Sequence, residues 1–111
     1  MSIHNLPFQL WEARQKIIKA ATVALLAEEV DFSFIKGDTS AAAVALTLPA
    51  ANADMEGYDV LIVNAGAGAL TVVCAAGFGG GAVTLTLGRG EMAHCICDGS
   101  HWYDLHQGAA A

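Results

Sequence analysis

From residue 21 onward, apolar and polar residues alternate with a period of two, the pattern of strands that bury one face. Eight segments carry it: TVALLA (22–27), VDFSFI (30–35), AVALTL (43–48), YDVLIVN (58–64), ALTVVC (69–74), AVTLTL (82–87), MAHCIC (92–97) and HWYDL (101–105). Val44, Leu46 and Leu48 share one side of the third segment. Tyr58, Val60, Ile62 and Asn64 share one side of the fourth, and Val83, Leu85 and Leu87 one side of the sixth. In the second, Val30, Phe32 and Phe34 stand against Asp31, Ser33 and Ile35. Pro49 ends the third segment, because proline cannot donate to a ladder. KGDTS (36–40), AGAG (65–68), AAGFGGG (75–81), GRGE (88–91) and DGS (98–100) have the chemistry of turns.

Short strands at a spacing of about ten residues, joined by glycine-rich turns, predict an all-β fold. The expected architecture is a small antiparallel β-sandwich, jelly-roll-like, of about eight strands. No βαβ alternation appears, so a parallel doubly wound sheet is not expected, and no clear internal repeat appears. Residues 1–20 break the pattern and read as an N-terminal arm, extended or a short helix, with Leu10, Arg14, Ile17 and Ile18 roughly on one side. The expected organisation is an arm over 1–20, a β-sandwich domain over 21–105 and a loose tail over 106–111.

Composition narrows the function classes. Of the 111 residues, 55% are apolar and 14% charged, and the net charge is −6. Soluble proteins average about 25% charged residues, so a surface partly covered by other subunits suits this chain. Arg14, Lys16 and Lys19 lie in the arm. After them only Lys36 and Arg89 oppose the acids of the body. An acidic body argues against a nucleic-acid partner. No apolar run reaches the ~18 residues of a membrane helix, and the N-terminus lacks the layout of a signal peptide. The chain reads as one assembled in the cytoplasm.

Candidate chemistry is sparse. Cys95 and Cys97 share a strand face and Cys74 lies on another strand, an odd number without zinc-ligand spacing, which reads as buried reduced thiols. No acid, Ser or Cys is placed by local sequence to form a nucleophile–base pair with His4, His94, His101 or His106. GFGGG (77–81) lacks the following Lys-Ser/Thr of a phosphate loop. Trp102 and Tyr103, as strand neighbours, point to opposite faces, so one ring fills the core or a subunit contact and one faces outward. No enzyme activity, cofactor or metal is expected.

The runs ALTLPAA (45–51), YDVLIVNAGAGALTVV (58–73) and AVTLTLGRGEMAHCICDGSHWY (82–103) resemble the small β-modules of tailed-bacteriophage virion proteins. Those include capsid decoration (cement) proteins, head fibres and tail-fibre segments. The matching positions are Thr47, Leu48 and Pro49 at a strand end, Asn64, Gly66 and Gly68 at a glycine-rich turn, Gly90 and Glu91 at a later turn, and Asp98, Gly99 and Trp102 in the final hairpin. The resemblance spans roughly residues 40 to 105. It implies a structural virion protein on the capsid exterior that binds the major capsid protein and self-associates as a homodimer or homotrimer. A single module preceded by an arm suits a decoration protein, with Phe8, Trp11, Arg14, Ile17 and Ile18 as the docking positions. The alternative it leaves open is a tail-fibre module that recognises a host surface glycan through Trp102 or Tyr103.

Overall fold

The computed structural model describes residues 14–107. Among these residues nine strands form two sheets: β1 (Gln15–Lys19), β2 (Val23–Ala24), β3 (Ser33–Gly37), β4 (Val44–Thr47), β5 (Asp59–Asn64), β6 (Leu70–Val73), β7 (Thr84–Leu87), β8 (Met92–Cys97) and β9 (Trp102–Gln107). The larger sheet runs β1-β3-β5-β8-β9 and the smaller β2-β4-β6-β7. The inner faces meet in one apolar core, with Ile35, Val60, Ile62 and Cys95 from the larger sheet against Leu46, Leu70, Val72 and Leu87 from the smaller. Among the described residues no helix is long and apolar enough to cross a membrane.

The all-β expectation describes this chain, but the antiparallel jelly-roll expectation does not. β1, β3 and β5 pair in parallel, as do β2, β4 and β6; only the ladders β5–β8, β6–β7 and β8–β9 are antiparallel. A parallel pair needs a crossover of a dozen or more residues, usually a helix. Here the crossover is a strand of the opposite sheet. The chain winds from one sheet to the other three times, then reverses through β7, β8 and β9. Gln15 lies beside Ser33, and Ser33 beside Val60. The second pass is half as long again as the first, so the winding leaves no fixed repeat in the sequence.

Two further differences have local causes. Gln15–Lys19, part of the sequence-based arm, is a paired strand of the larger sheet, with the Gln15 amide on Phe32 O (3.2 Å) and Lys19 O accepting from the Asp38 amide (2.8 Å). The second predicted strand starts late and faces the other way. Residues Ala27–Val30 form a 3-10 turn, held by Glu29, whose carboxylate accepts from the Leu26 amide (3.0 Å) and pairs with Lys19 (2.7 Å). Phe32 then adopts φ +54°, which shifts the alternation by one residue. Ser33 and Ile35 therefore face the core and Phe34 faces out.

The positions that carry the virion resemblance are staples at the two ends of the sheets. At one end Asn64 is fully buried. Its Nδ2 donates to Gly68 O and Leu87 O (both 2.8 Å), and its Oδ1 accepts from Thr39 Oγ1 (2.7 Å) and the Gly66 amide (3.1 Å). Gly66 has no room for a side chain, since a Cβ there would sit 2.6 Å from the Ser40 nitrogen. The Gly90 amide donates to Asn64 O (2.8 Å), and Glu91 closes its own turn on the Gly88 amide (2.7 Å). At the other end the Asp98 carboxylate accepts from the Ser100 and His101 amides (both 2.8 Å), which holds its pKa below the ordinary value. Gly99, at φ +92°, completes that hairpin turn.

Candidate functional site

The docking positions named from sequence fall in four places. Phe8 and Trp11 lie outside the described residues. Arg14 is turned inward on the protein itself: its Nη1 donates to Asp59 Oδ1 (2.7 Å) and to Ser33 O (3.2 Å), and its guanidinium lies 4.3 Å from the centre of the Phe32 ring. Asp59 Oδ1 also meets His94 Nε2 at 2.8 Å. The left-handed backbone of Phe32 is uncommon for an aromatic residue and costs about 1–3 kcal/mol; it places the ring beneath Arg14, where a cation–π contact offsets part of that cost. Ile17 and Ile18 sit on opposite faces, as strand neighbours must. Ile17 packs against the core and Ile18 is exposed on the outside.

Trp102 and Tyr103 divide as alternation requires. Trp102 is buried and its Nε1 donates to Pro49 O (2.8 Å), which ties the last hairpin to the end of β4. It is a core residue. Tyr103 is 48% exposed, lies over Gly79, and has the His101 ring 6.3 Å away.

The site that the structure assembles is the outer face of the five-stranded sheet. From the register, Phe34, Leu61, Val63, Met92, Ile96, Tyr103 and Leu105 all point away from the core. Four apolar side chains on this face are exposed: Ile18 (69%), Ile96 (43%), Tyr103 and Leu105 (76%). The register sets Ile96 opposite Tyr103 and His94 opposite Leu105. Lys16 and Lys36 share the face beside Ile18 and Phe34, and the Arg14–Asp59–His94 cluster lies at one end, so the exposed apolar side chains gather on β8 and β9. Ile96, Tyr103 and Leu105 are neighbours on β8 and β9, and grouped exposed apolar side chains of this kind mark an interaction site. β5 shows why sequence reasoning missed it. DVLIVN is apolar on both faces, with Val60 and Ile62 inside and Leu61 and Val63 outside. A continuous apolar run is the mark of a strand covered on both sides, and reading it as simple alternation hid the outer face.

Elsewhere the side chains build packing. Cys74, Cys95 and Cys97 are free, buried thiols. Burial, aided by the nearby Asp104 carboxylate, pushes the Cys95 thiol up from 9.0 to about 12, and burial raises Cys74 too. Among the described residues no group of three His, Cys, Asp or Glu is placed to hold a metal ion. The glycine-rich segment forms a turn at Phe78–Gly80 that seats Phe78 in the core. A cleft of about 170 Å³ lies between the loops after β4 and β6 and the last hairpin, floored by Leu48, Cys74 and Trp102. It is smaller than the ~300–1,000 Å³ of a typical ligand site and close to a cavity that holds one benzene ring.

The chain matches no protein-family model, no curated protein and no solved structure.

Proposed function

We propose that this protein is a structural component of a tailed-phage virion that binds the outside of the capsid and reinforces it. It acts as a decoration protein, assembled in the host cytoplasm and self-associating as a dimer or trimer. The observation that carries the reading is the exposed apolar outer face of the five-stranded sheet. Such a face suits lasting protein–protein contact. The sequence resemblance supplies the virion context. The segment before Arg14, with Phe8 and Trp11, together with Ile18 on the same outer face, contacts the major capsid protein. A subunit that binds only the assembled lattice stabilises it by mass action, about 2.7 kcal/mol per site at a hundredfold excess over Kd.

The test is co-sedimentation of the purified full-length protein with phage heads that lack it. Saturable binding to the head lattice, with a rise in the temperature at which heads rupture, is the expected result. Binding at the tail tip, or none to heads, would overturn the reading. One observation favours a second reading, a tail-fibre module for a surface glycan: Tyr103 presents an exposed ring beside His101. A glycan-array signal abolished by Tyr103→Ala, with the circular dichroism unchanged, would establish that reading. The buried Trp102 is unavailable as a sugar platform.

A further inference from the structure

Among the described residues the two sheets end in four edge strands, β1 and β9 on the larger, β2 and β7 on the smaller. An exposed edge is a template for another chain, and proteins guard edges with charge, shortness or cover. β1 carries Lys16 and Lys19. β2 is two residues long, and β7 is a four-residue strand with Thr84 and Thr86 outward. β9 differs. It is six residues long, has no Lys, Arg or Pro, carries one acid, Asp104, on the side of Cys95, and presents Tyr103 and Leu105 to solvent. The Phe78–Gly80 turn packs on the start of this strand, with Gly79 against the Tyr103 ring. Leu105, further along, stays 76% exposed.

We propose that a second copy of this chain pairs with this edge, β9 against β9, antiparallel about a twofold axis through Leu105. Charge favours that register over one centred on Asp104. An axis through Asp104 would set Asp104 against Asp104 of the partner subunit, and like charges directly opposite destabilise a pair. An axis through Tyr103 would centre the interface on the part of the strand that the glycine-rich turn packs against, whereas an axis through Leu105 leaves that part at the rim. An axis through Leu105 sets Asp104 opposite His106 of the partner subunit, and His106 opposite Asp104 of the partner subunit. Within one subunit Asp104 and His106 already lie on one face, with Oδ2 3.1 Å from Nδ1. The interface is self-complementary, as a twofold contact must be. It joins the two larger sheets edge to edge and brings Ile96, Tyr103 and Leu105 of both copies together on one side. The proposal goes beyond the virion reading, because it assigns self-association to one strand and one register.

The test uses the full-length protein at micromolar concentration. Sedimentation equilibrium should give a dimer, and Leu105→Lys, which sets two ammonium groups on the axis, should weaken the dimer by about tenfold or more. Residue 105 is exposed in the subunit, so circular dichroism should not change. Leu105→Cys should form an intersubunit disulfide on mild oxidation, since directly opposed strand positions lie within reach of an S–S bond. Tyr103→Cys should not, because position 103 faces 107 of the second copy. A monomer or trimer mass for the full chain overturns the proposal. So does a dimer unaffected by Leu105→Lys, or equal cross-linking at 103 and 105. Head binding is measured separately: a failed dimer with intact head binding removes this proposal alone, and the converse removes the virion reading alone.

Discussion

Asn64 shows what single residues do in this protein. Its amide uses both ends on four partners from three segments, all out of water. Truncation to Asn64→Ala takes the side-chain partner from the Leu87 carbonyl and the Gly66 amide, while the Thr39 hydroxyl and the Gly68 carbonyl keep each other (3.0 Å). Each buried group left without a partner costs about 1–3 kcal/mol. With partial relaxation, urea unfolding should show a loss of about 2–4 kcal/mol, and a loss under about 1 kcal/mol would mean that water replaces the amide. The buried thiols make a pH prediction at the same scale. Cys95 titrates at about 12 in the folded protein instead of 9.0, with burial the main cause. The folded state therefore holds its proton more tightly than the unfolded state. The resulting stabilisation is complete below pH 9 and is lost as pH rises from 9 towards 12. Unfolding free energy should fall across that window, less steeply in Cys95→Ala. Rapid labelling of Cys95 by a thiol reagent in the native protein at pH 8 would contradict this placement.

Among the elements, β1 is the one whose role changes most between sequence and structure. Its inward residue Ile17 packs on the core, and Arg14 just before it bridges to β5 through Asp59. A chain starting at Arg14 therefore keeps every described strand, whereas a chain starting at residue 21 lacks β1 and bares the β3 edge. Removing residues 1–13 should leave a soluble β-domain with unchanged circular dichroism. Removing 1–20 should give a destabilised, aggregation-prone product. Equal solubility of the two truncations would show that β1 contributes nothing to the sheet. The contrast marks how far the sequence was legible. Strands with clean alternation were readable nearly to the residue: MAHCIC is β8 as predicted, and the inward residues of β4 and β5 face the core. β1 was not, because QKIIK is short and its anchors are long-range, Ser33 and Asp59. β3 was readable as a strand but not in its facing, because one left-handed residue, Phe32, inverts it. The outer face was hidden for a different reason, since local alternation does not say which side of a strand such as β5 meets another protein.

At the scale of the molecule, the winding makes stability uneven. Each pass of the chain contacts chiefly the passes next to it, as in a short solenoid, so local stability follows the number of neighbours. The first pass, β1 and β2, has a neighbour on one side only. β2 consists of two exposed residues. β5 and β6 have strands on both sides, and β8 lies between β5 and β9. Amide hydrogen exchange in the native state should therefore form a gradient. The hydrogen-bonded amides of β1 and β2 should exchange by local opening, at a free energy well below that of global unfolding. Those of β5, β6 and β8 should exchange only with global unfolding and follow urea with the full m-value. Arg14→Ala, which removes the bridge from β1 to Asp59, should speed exchange in β1 by about tenfold and leave β8 unchanged. A uniform protection factor across all strands would mean that the two sheets open as a single unit, and the energetic distinction between the first pass and the rest would then be wrong.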